Sequence, residues 1–261
     1  MAKILIGTSG YHYTDWIGTL YPPGTKKDDF LTLYAKEFPT LELNFSYYKM
    51  PEAGQLQRMM DEGPNLTFSI KAHETLTHKI DASKWKDEAK TYLKAIEPLQ
   101  KEGRLEAVLF QFPYSFHYTP EKRQYLDNLL EEFSAAPNVV EFRNGEWSCE
   151  SVIEGLKKRS AALASVDEPK LKGLPPVLDA ATGSLAYFRF HGRNNEKWWG
   201  SDSRARYDYL YSEDELMGIT GRLKGLAEKA HKLLIYFNNH AYGKAVLNAR
   251  ALKIILEKVF K

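Results

Sequence analysis

Eight short β-prone runs recur along the chain, most of them separated by a segment whose apolar residues fall at helical spacing. This alternation constrains the fold more than any other feature. Strands joined by helical crossovers pair in parallel, and eight parallel strands close a (β/α)8 barrel. The runs are ILIGTS (Ile4 to Ser9), TLELNF (Thr40 to Phe45), LTFSIKAH (Leu66 to His73), EAVLFQFP (Glu106 to Pro113), VVEFRN (Val139 to Asn144), AALASVD (Ala161 to Asp167), LAYFRFHG (Leu185 to Gly192) and KLLIYFNN (Lys232 to Asn239). Between them, Asp28 to Phe38 and Ser83 to Lys101 carry apolar residues on one helical face. Thr119 with Pro120 reads as a helix start, and Ser212 with Glu215 as a capping box for Glu213 to Ala230. Lys244 to Lys258 closes the chain as an amphipathic helix. Only the connection after the sixth run, EPKLKGLPPVLDAATG, is too rich in Pro and Gly to be helical. The expectation is an α/β fold, one TIM-type barrel domain over residues 1–261, with a doubly wound open sheet as the alternative.

Side-chain parity then places the chemistry. In each run one parity is apolar and suits the layer under the helices, for example Leu41 and Leu43, Phe68 and Ile70, Phe110 and Phe112, Ala164 and Val166, Phe188 and Phe190. The other parity turns polar toward the strand's C-terminal end: Ser9; Glu42 and Asn44; Lys71 and His73; Gln111; Glu141 and Arg143; Asp167; Arg189 and His191; Asn238. A parallel sheet covered on both faces would be apolar on both, whereas a barrel gathers these groups at its C-terminal mouth. Lys71, Arg143 and Arg189 are expected to hold an anion there, His191 to act as general base, and Glu42, Glu141 and Asp167 to partner them. His73, Gln111, Asn44, Asn238 and Asn239 complete the expected substrate-binding set, the last two offering turn and cap chemistry as the plainer alternative. The competing reading is a structural plug in which the three cations neutralise the three carboxylates. Stability is a weak reason for so many buried pairs, so a functional mouth is preferred.

Composition limits the partners. The net charge of +2 leaves 36 basic residues balanced against 34 acidic ones, so any polyanion would have to meet a local patch. The lone Cys149 excludes an intrachain disulfide, and it suits a reducing, cytoplasmic setting. The N-terminal residues lack a signal-like apolar core, and no run of about 18 apolar residues offers a membrane span. A divalent metal assembled from His73, His191, Glu42, Glu141 and Asp167 is not favoured, since three cations oppose it and no HExxH spacing occurs. Aromatic residues make up 13% of the chain and gather in the loops after the strands. Trp198 and Trp199, in a polar loop, are expected to be an exposed pair able to stack sugars or bases.

Several ordered motifs carry a family resemblance: GTSGY (Gly7 to Tyr11), ELNFSYY (Glu42 to Tyr48), SIKAHETLTH (Ser69 to His78), LFQFP (Leu109 to Pro113), VEFRNGEW (Val140 to Trp147), YFRFHG (Tyr187 to Gly192), YDYLYS (Tyr207 to Ser212) and FNNHAYGKAVLNA (Phe237 to Ala249). Together they resemble the YecE-like family, domain-of-unknown-function family 72, over nearly the whole chain. The resemblance implies a TIM-type barrel and brings no established activity, beyond a DNA-related role suggested from pocket similarity to endonuclease-IV-like barrels. Many members have His where this chain has Asn144. The expected function is an enzyme, with a hydrolase as the candidate class, acting on a phosphorylated or other anionic small molecule such as a phosphodiester or sugar phosphate. The alternative is a nucleic-acid-binding protein that uses the same mouth without turnover.

Overall fold

Each of the eight runs forms a strand in the computed structural model, which describes residues 2–260. The strands are β1 (Lys3–Ser9), β2 (Thr40–Leu43), β3 (Thr67–Lys71), β4 (Leu105–Phe112), β5 (Asn138–Phe142), β6 (Ala162–Asp167), β7 (Leu185–Phe190) and β8 (Lys232–Phe237). Each pairs in parallel with the next, and β8 pairs with β1, so the sheet closes into a barrel. Around it lie α1 (Phe30–Ala35), α2 (Phe45–Tyr48), α3 (Ala53–Glu62), α4 (Trp85–Lys101), α5 (Pro120–Glu132), α6 (Glu150–Lys158), α7 (Ser203–Arg206), α8 (Glu213–Ala227) and α9 (Lys244–Val259). The architecture is a single-domain (β/α)8 barrel. No helix among the described residues is long and apolar enough to cross a membrane.

The expected caps form. Thr119 accepts from the Lys122 amide with Pro120 in the first turn of α5, and Ser212 and Glu215 make the reciprocal capping box of α8. The segment Asp28 to Phe38 is less regular than its spacing suggests: a 3-10 turn over Lys27–Asp29 leads into only six α-helical residues. β1 and β2 approach closely at Gly7, where an added Cβ would stand 2.1 Å from the Thr40 carbonyl oxygen.

Two apolar layers result. The outer one packs Phe68, Phe110, Phe188 and Phe237 under the helices, each side chain contributing roughly 1.5–3 kcal/mol by burial. The inner one is the barrel floor, built from Leu5, Leu109, Val139, Ala164, Leu234 and Tyr236. Tyr236 crosses the interior, its hydroxyl 2.6 Å from Thr40 Oγ1 and 3.0 Å from Ser69 Oγ.

In-register residues of a parallel ladder share a face, and Ser9 with Glu42, Gln111 with Glu141, and Arg189 with Tyr236 lie side by side facing inward. Strand β6 departs from the expected parity. Val166 lies beside inward Arg189, whereas Asp167 lies beside Phe190 in the outer layer. Ala162 and Ala164 fill the interior, so Ala164 and Val166 do not pack under the helices and Asp167 does not point into the mouth. The run ALASV is small and apolar on both parities, and a shift of one residue exchanges the faces.

Candidate functional site

Above the floor, strand ends deliver charged side chains into the interior, and most arrive already paired. Arg189 at the end of β7 donates from Nε and Nη2 to the two oxygens of Glu42, at 2.9 and 2.6 Å, and from Nη1 to Glu141 Oε2 at 2.7 Å. Ser9 Oγ and the Tyr187 hydroxyl also donate to Glu42, at 2.5 and 2.7 Å. All five of these groups are buried. A guanidinium fork met by two carboxylates is the arrangement in which a buried charge is best compensated.

Arg143, just beyond β5, links this nest to the rest of the mouth. Its Nε lies 2.7 Å from Glu141 Oε1 as an ion pair without hydrogen-bond alignment. Nη1 donates to Glu168 Oε2 at 2.9 Å, and Nη2 stands 3.0 Å from His191 Nε2. Both ring nitrogens face nitrogen donors, since Asn238 Nδ2 stands 3.1 Å from Nδ1, and a neutral imidazole can accept from only one of them; Nε2 also lies 3.3 Å from Glu141 Oε1. Burial and then the Arg143 charge push the His191 imidazole down to about 3. His191 is therefore neutral, as a base must be, but both ring nitrogens are engaged. Burial works against ionisation of Glu141, yet Arg143 and Arg189 hold it well below the usual carboxylate range.

The β3 side of the mouth is different. The Lys71 carbonyl is pinned by the Ser46 and Tyr92 hydroxyls, at 2.6 and 2.9 Å, which fixes the strand end. Its ammonium donates to Gln111 Oε1 at 2.9 Å and lies 4.2 Å from the centre of the Tyr47 ring. It has no carboxylate partner among the described residues. Loss of water around it, followed by repulsion from Arg189, pushes Lys71 down to about 7. His78, packed on Tyr47, is pushed down to about 4 by burial and by Lys71. Glu168 moves the other way: burial raises it to about 7 against the pull of Arg143. Its Oε1 is buried without a partner.

Aromatic loops close the roof. Trp198 is only 2% exposed and lies over Arg143, 5.6 Å from the guanidinium carbon, while Tyr207 lies 5.7 Å from the His191 ring. The expected exposed pair is thus divided: Trp198 is a lid over the site, and Trp199, 50% exposed, packs edge-on against Tyr114. A groove of about 830 Å³ runs along the β6–β7 connection from Glu168 past Lys170 and Lys172 to Arg193.

The strand ends join Glu42, Glu141, Arg143, Arg189, His191 and Asn238 through these bonds, with the Lys71–Gln111 pair beside them. Asp167 is not among them. It accepts from Arg193 Nε and Nη2 and from the Tyr211 hydroxyl, at 2.8, 2.9 and 2.8 Å, and serves as an outer clamp on the loops. His73 caps the turn Glu74–Leu76 through Thr75. The Asn239 amide donates to Tyr209 and Asn248, so it anchors the loop before α8. Asn44 has a buried, unpartnered Oδ1. Asn144 caps its own turn, accepting from the Glu146 amide and donating to the Tyr114 carbonyl. Among the described residues no three His, Cys, Asp or Glu side chains converge as a group able to hold a metal ion.

The sequence model of the family described as "Protein of unknown function DUF72" matches residues 5–261. The chain belongs to the DUF72 family. A curated relative, UPF0759 protein YunF of Bacillus subtilis (strain 168), is 28% identical over 270 residues, covering 97% of this chain and 95% of the relative. A solved DUF72 structure from Thermotoga maritima MSB8 is 36% identical with a TM-score of 0.89, covering 98% of this chain and 99% of that one. Another from Enterococcus faecalis V583 is 24% identical with a TM-score of 0.87, over 97% and 95%. D-Psicose 3-epimerase from Clostridium cellulolyticum H10, at 11% identity and TM-score 0.52, shares the barrel over 98% of this chain and 97% of its own.

For this DUF72 chain, reading the strand ends passed over Glu168, Tyr47 and His78. Had the two alanines of β6 been phased inward, Val166 and then Glu168 would have followed as interior positions. Tyr47 lies in the short helix α2 and His78 in a loop, and only tertiary packing brings them to Lys71.

Proposed function

We propose that the chain is an enzyme acting at its C-terminal mouth on a small anionic molecule, phosphorylated or carboxylate-bearing, with sugar phosphates and phosphodiesters as the leading classes. Glu168 carries the reading. Its side chain is 4% exposed, one oxygen rests on the Arg143 fork, and the other has no partner. Burying a carboxylate that is only half satisfied is costly, and an incoming acid group can take its place on Arg143 without leaving a guanidinium unpaired. The groove ending at Glu168 is lined by the Asp167–Arg193 pair and by Lys170 and Lys172, and the two lysines favour approach by an anion.

In this reading Arg143 holds the anion, and Arg189, with its donors committed to Glu42 and Glu141, braces the site. Lys71 and Glu168, both near neutrality, are the acid–base groups of the closed geometry, and His191 becomes available when Arg143 turns to a ligand. Thermal-shift and calorimetric titrations with inorganic phosphate, sugar phosphates and dinucleotides, beside a phosphatase, phosphodiesterase and isomerase screen, test it. Arg143→Ala is expected to weaken anion binding at least about tenfold, as loss of a charge-assisted fork does. If no anion binds, or if Arg143→Ala leaves binding and turnover unchanged, the reading fails.

Exposed Trp199 against Tyr114, 43% exposed, supports nucleic-acid binding as the second reading, because Tyr114 adjoins Gly173 in the wall of the groove that carries Lys170 and Lys172. Oligonucleotide binding that quenches Trp199, falls steeply with salt and proceeds without turnover would favour it.

A further inference from the structure

Of the three cations brought to the mouth, Arg143 and Arg189 each rest on carboxylates, whereas Lys71 meets a neutral amide oxygen and an aromatic face. Its strand end is locked by two hydroxyls on its own carbonyl, and the side chain is only partly exposed. A lysine aimed into a barrel, without a counter-ion and beside two guanidinium groups, is set up to lose its proton and attack carbon. Stability gives little reason for the arrangement, since a half-buried amine with one acceptor is a cost that Met or Leu would avoid.

We propose that Lys71 is a covalent site: its amine condenses with the carbonyl of an anionic aldehyde or ketone, while Arg143 holds the substrate's acid group. The Nζ lone pair attacks the carbonyl carbon, and a C–N bond forms as the carbonyl π bond opens to a carbinolamine. The C–O bond then breaks, and the oxygen leaves as water with the two hydrogens that the amine gave up. The product is an imine that water hydrolyses back to the free lysine. No oxidant or metal is consumed. The imine withdraws electrons from the adjacent carbon, so proton transfer or carbon–carbon cleavage next to the carbonyl is the reaction class that it serves. Gln111 and the Tyr47 ring contact the nitrogen, and His78 packs on Tyr47. With Lys71 pushed down to about 7, its neutral fraction at pH 7 exceeds that of an ordinary lysine by about a thousandfold.

The assignment rests on the mouth taking an anionic small molecule, and the experiment separates the two ideas. The full chain is incubated with dihydroxyacetone phosphate, pyruvate or uncharged dihydroxyacetone, reduced with borohydride, and mapped by peptide mass spectrometry. Lys71 is expected to be modified at least ~10-fold more than any other lysine, following the neutral-amine fraction. Half-maximal modification is expected near pH 7, the adduct should vanish in Lys71→Arg, and inorganic phosphate should compete. Equal trapping of dihydroxyacetone and its phosphate at Lys71 would support the imine while removing the anion reading. Modification spread over surface lysines, or no adduct at Lys71 with any of the three, would overturn it. Lys71→Arg keeps the charge, so a matching circular-dichroism melt shows that a lost adduct is not a lost fold.

Discussion

The β7 side and the β3 side of the barrel mouth look alike in sequence, each a strand ending in a cation, and they differ in how that cation is satisfied. Arg189 is held by Glu42 and Glu141 with Ser9 and Tyr187 filling the remaining valences of Glu42, so every charge there has its opposite within hydrogen-bond reach. Lys71 has a neutral acceptor and a ring, and Glu168 across the Arg143 bridge has one oxygen satisfied and one not. A saturated buried pair stores rigidity and resists titration. An unsaturated one titrates near neutrality and has something left to bind. The mouth is thus a structural brace beside a poised half, and neither a pure plug nor an open cluster of free charges describes it.

The largest effect should come from breaking the brace. Arg189→Ala leaves Glu42 and Glu141 facing each other in the interior, and removing one partner of a buried pair costs roughly 3–5 kcal/mol. Lys71→Met removes a charge without stranding another and should leave stability unchanged or raised. Urea denaturation of both variants at pH 7 measures the contrast, and equal losses would mean that the two halves are braced alike.

A smaller effect sharpens the role of Glu168. Glu168→Gln keeps an oxygen on Arg143 but removes the competing charge, so phosphate or a carboxylate ligand should bind about tenfold more tightly, about 1.4 kcal/mol, with stability within about 1 kcal/mol of the parent. The readout is a calorimetric phosphate titration alongside the denaturation midpoint. Weaker binding in Glu168→Gln would show that Glu168 assists the anion instead of standing in for it.

How far the sequence foretold this division depends on the strand. Glu42, Glu141 and Arg189 sit among large apolar neighbours of opposite parity, so their direction was legible, and with it the closed barrel and the brace. In β6 the small residues Ala162, Ala164, Ser165 and Val166 fit either layer, and the visible carboxylate, Asp167, belongs to the outer clamp with Arg193 and Tyr211. Its neighbour Glu168 enters the mouth. Trp198 was illegible for another reason: apart from Trp199 its loop is polar, and it is packed over Arg143, far away in sequence. Pairing, the property that separates the two halves, belongs to tertiary structure, and no periodicity encodes it.

The finest test of the comparison is the pH dependence of stability, where the two poised groups should pull in opposite directions. Lys71 is lowered from 10.5 to about 7, so the unfolded chain binds the extra proton between those values, and the folded state gains stability as pH rises through that window. Below about 7 the penalty of a charged Lys71 is fully present. Glu168 is raised from 4.5 to about 7, so the folded state binds the extra proton, and stability is lost as pH rises from 4.5 through 7. The advantage of Lys71→Met over the parent should therefore be greatest in acid and shrink toward pH 10, whereas that of Glu168→Gln should be absent in acid and grow through pH 7. Each difference is expected on the order of 1 kcal/mol after solvent screening. Denaturation midpoints of the parent and both variants at intervals from pH 4 to pH 10 follow the two trends. Flat differences in both variants would place Lys71 and Glu168 with the saturated charges of β7 and erase the distinction between the halves, because a group that already has its partner cannot show a titration of folding in the neutral range.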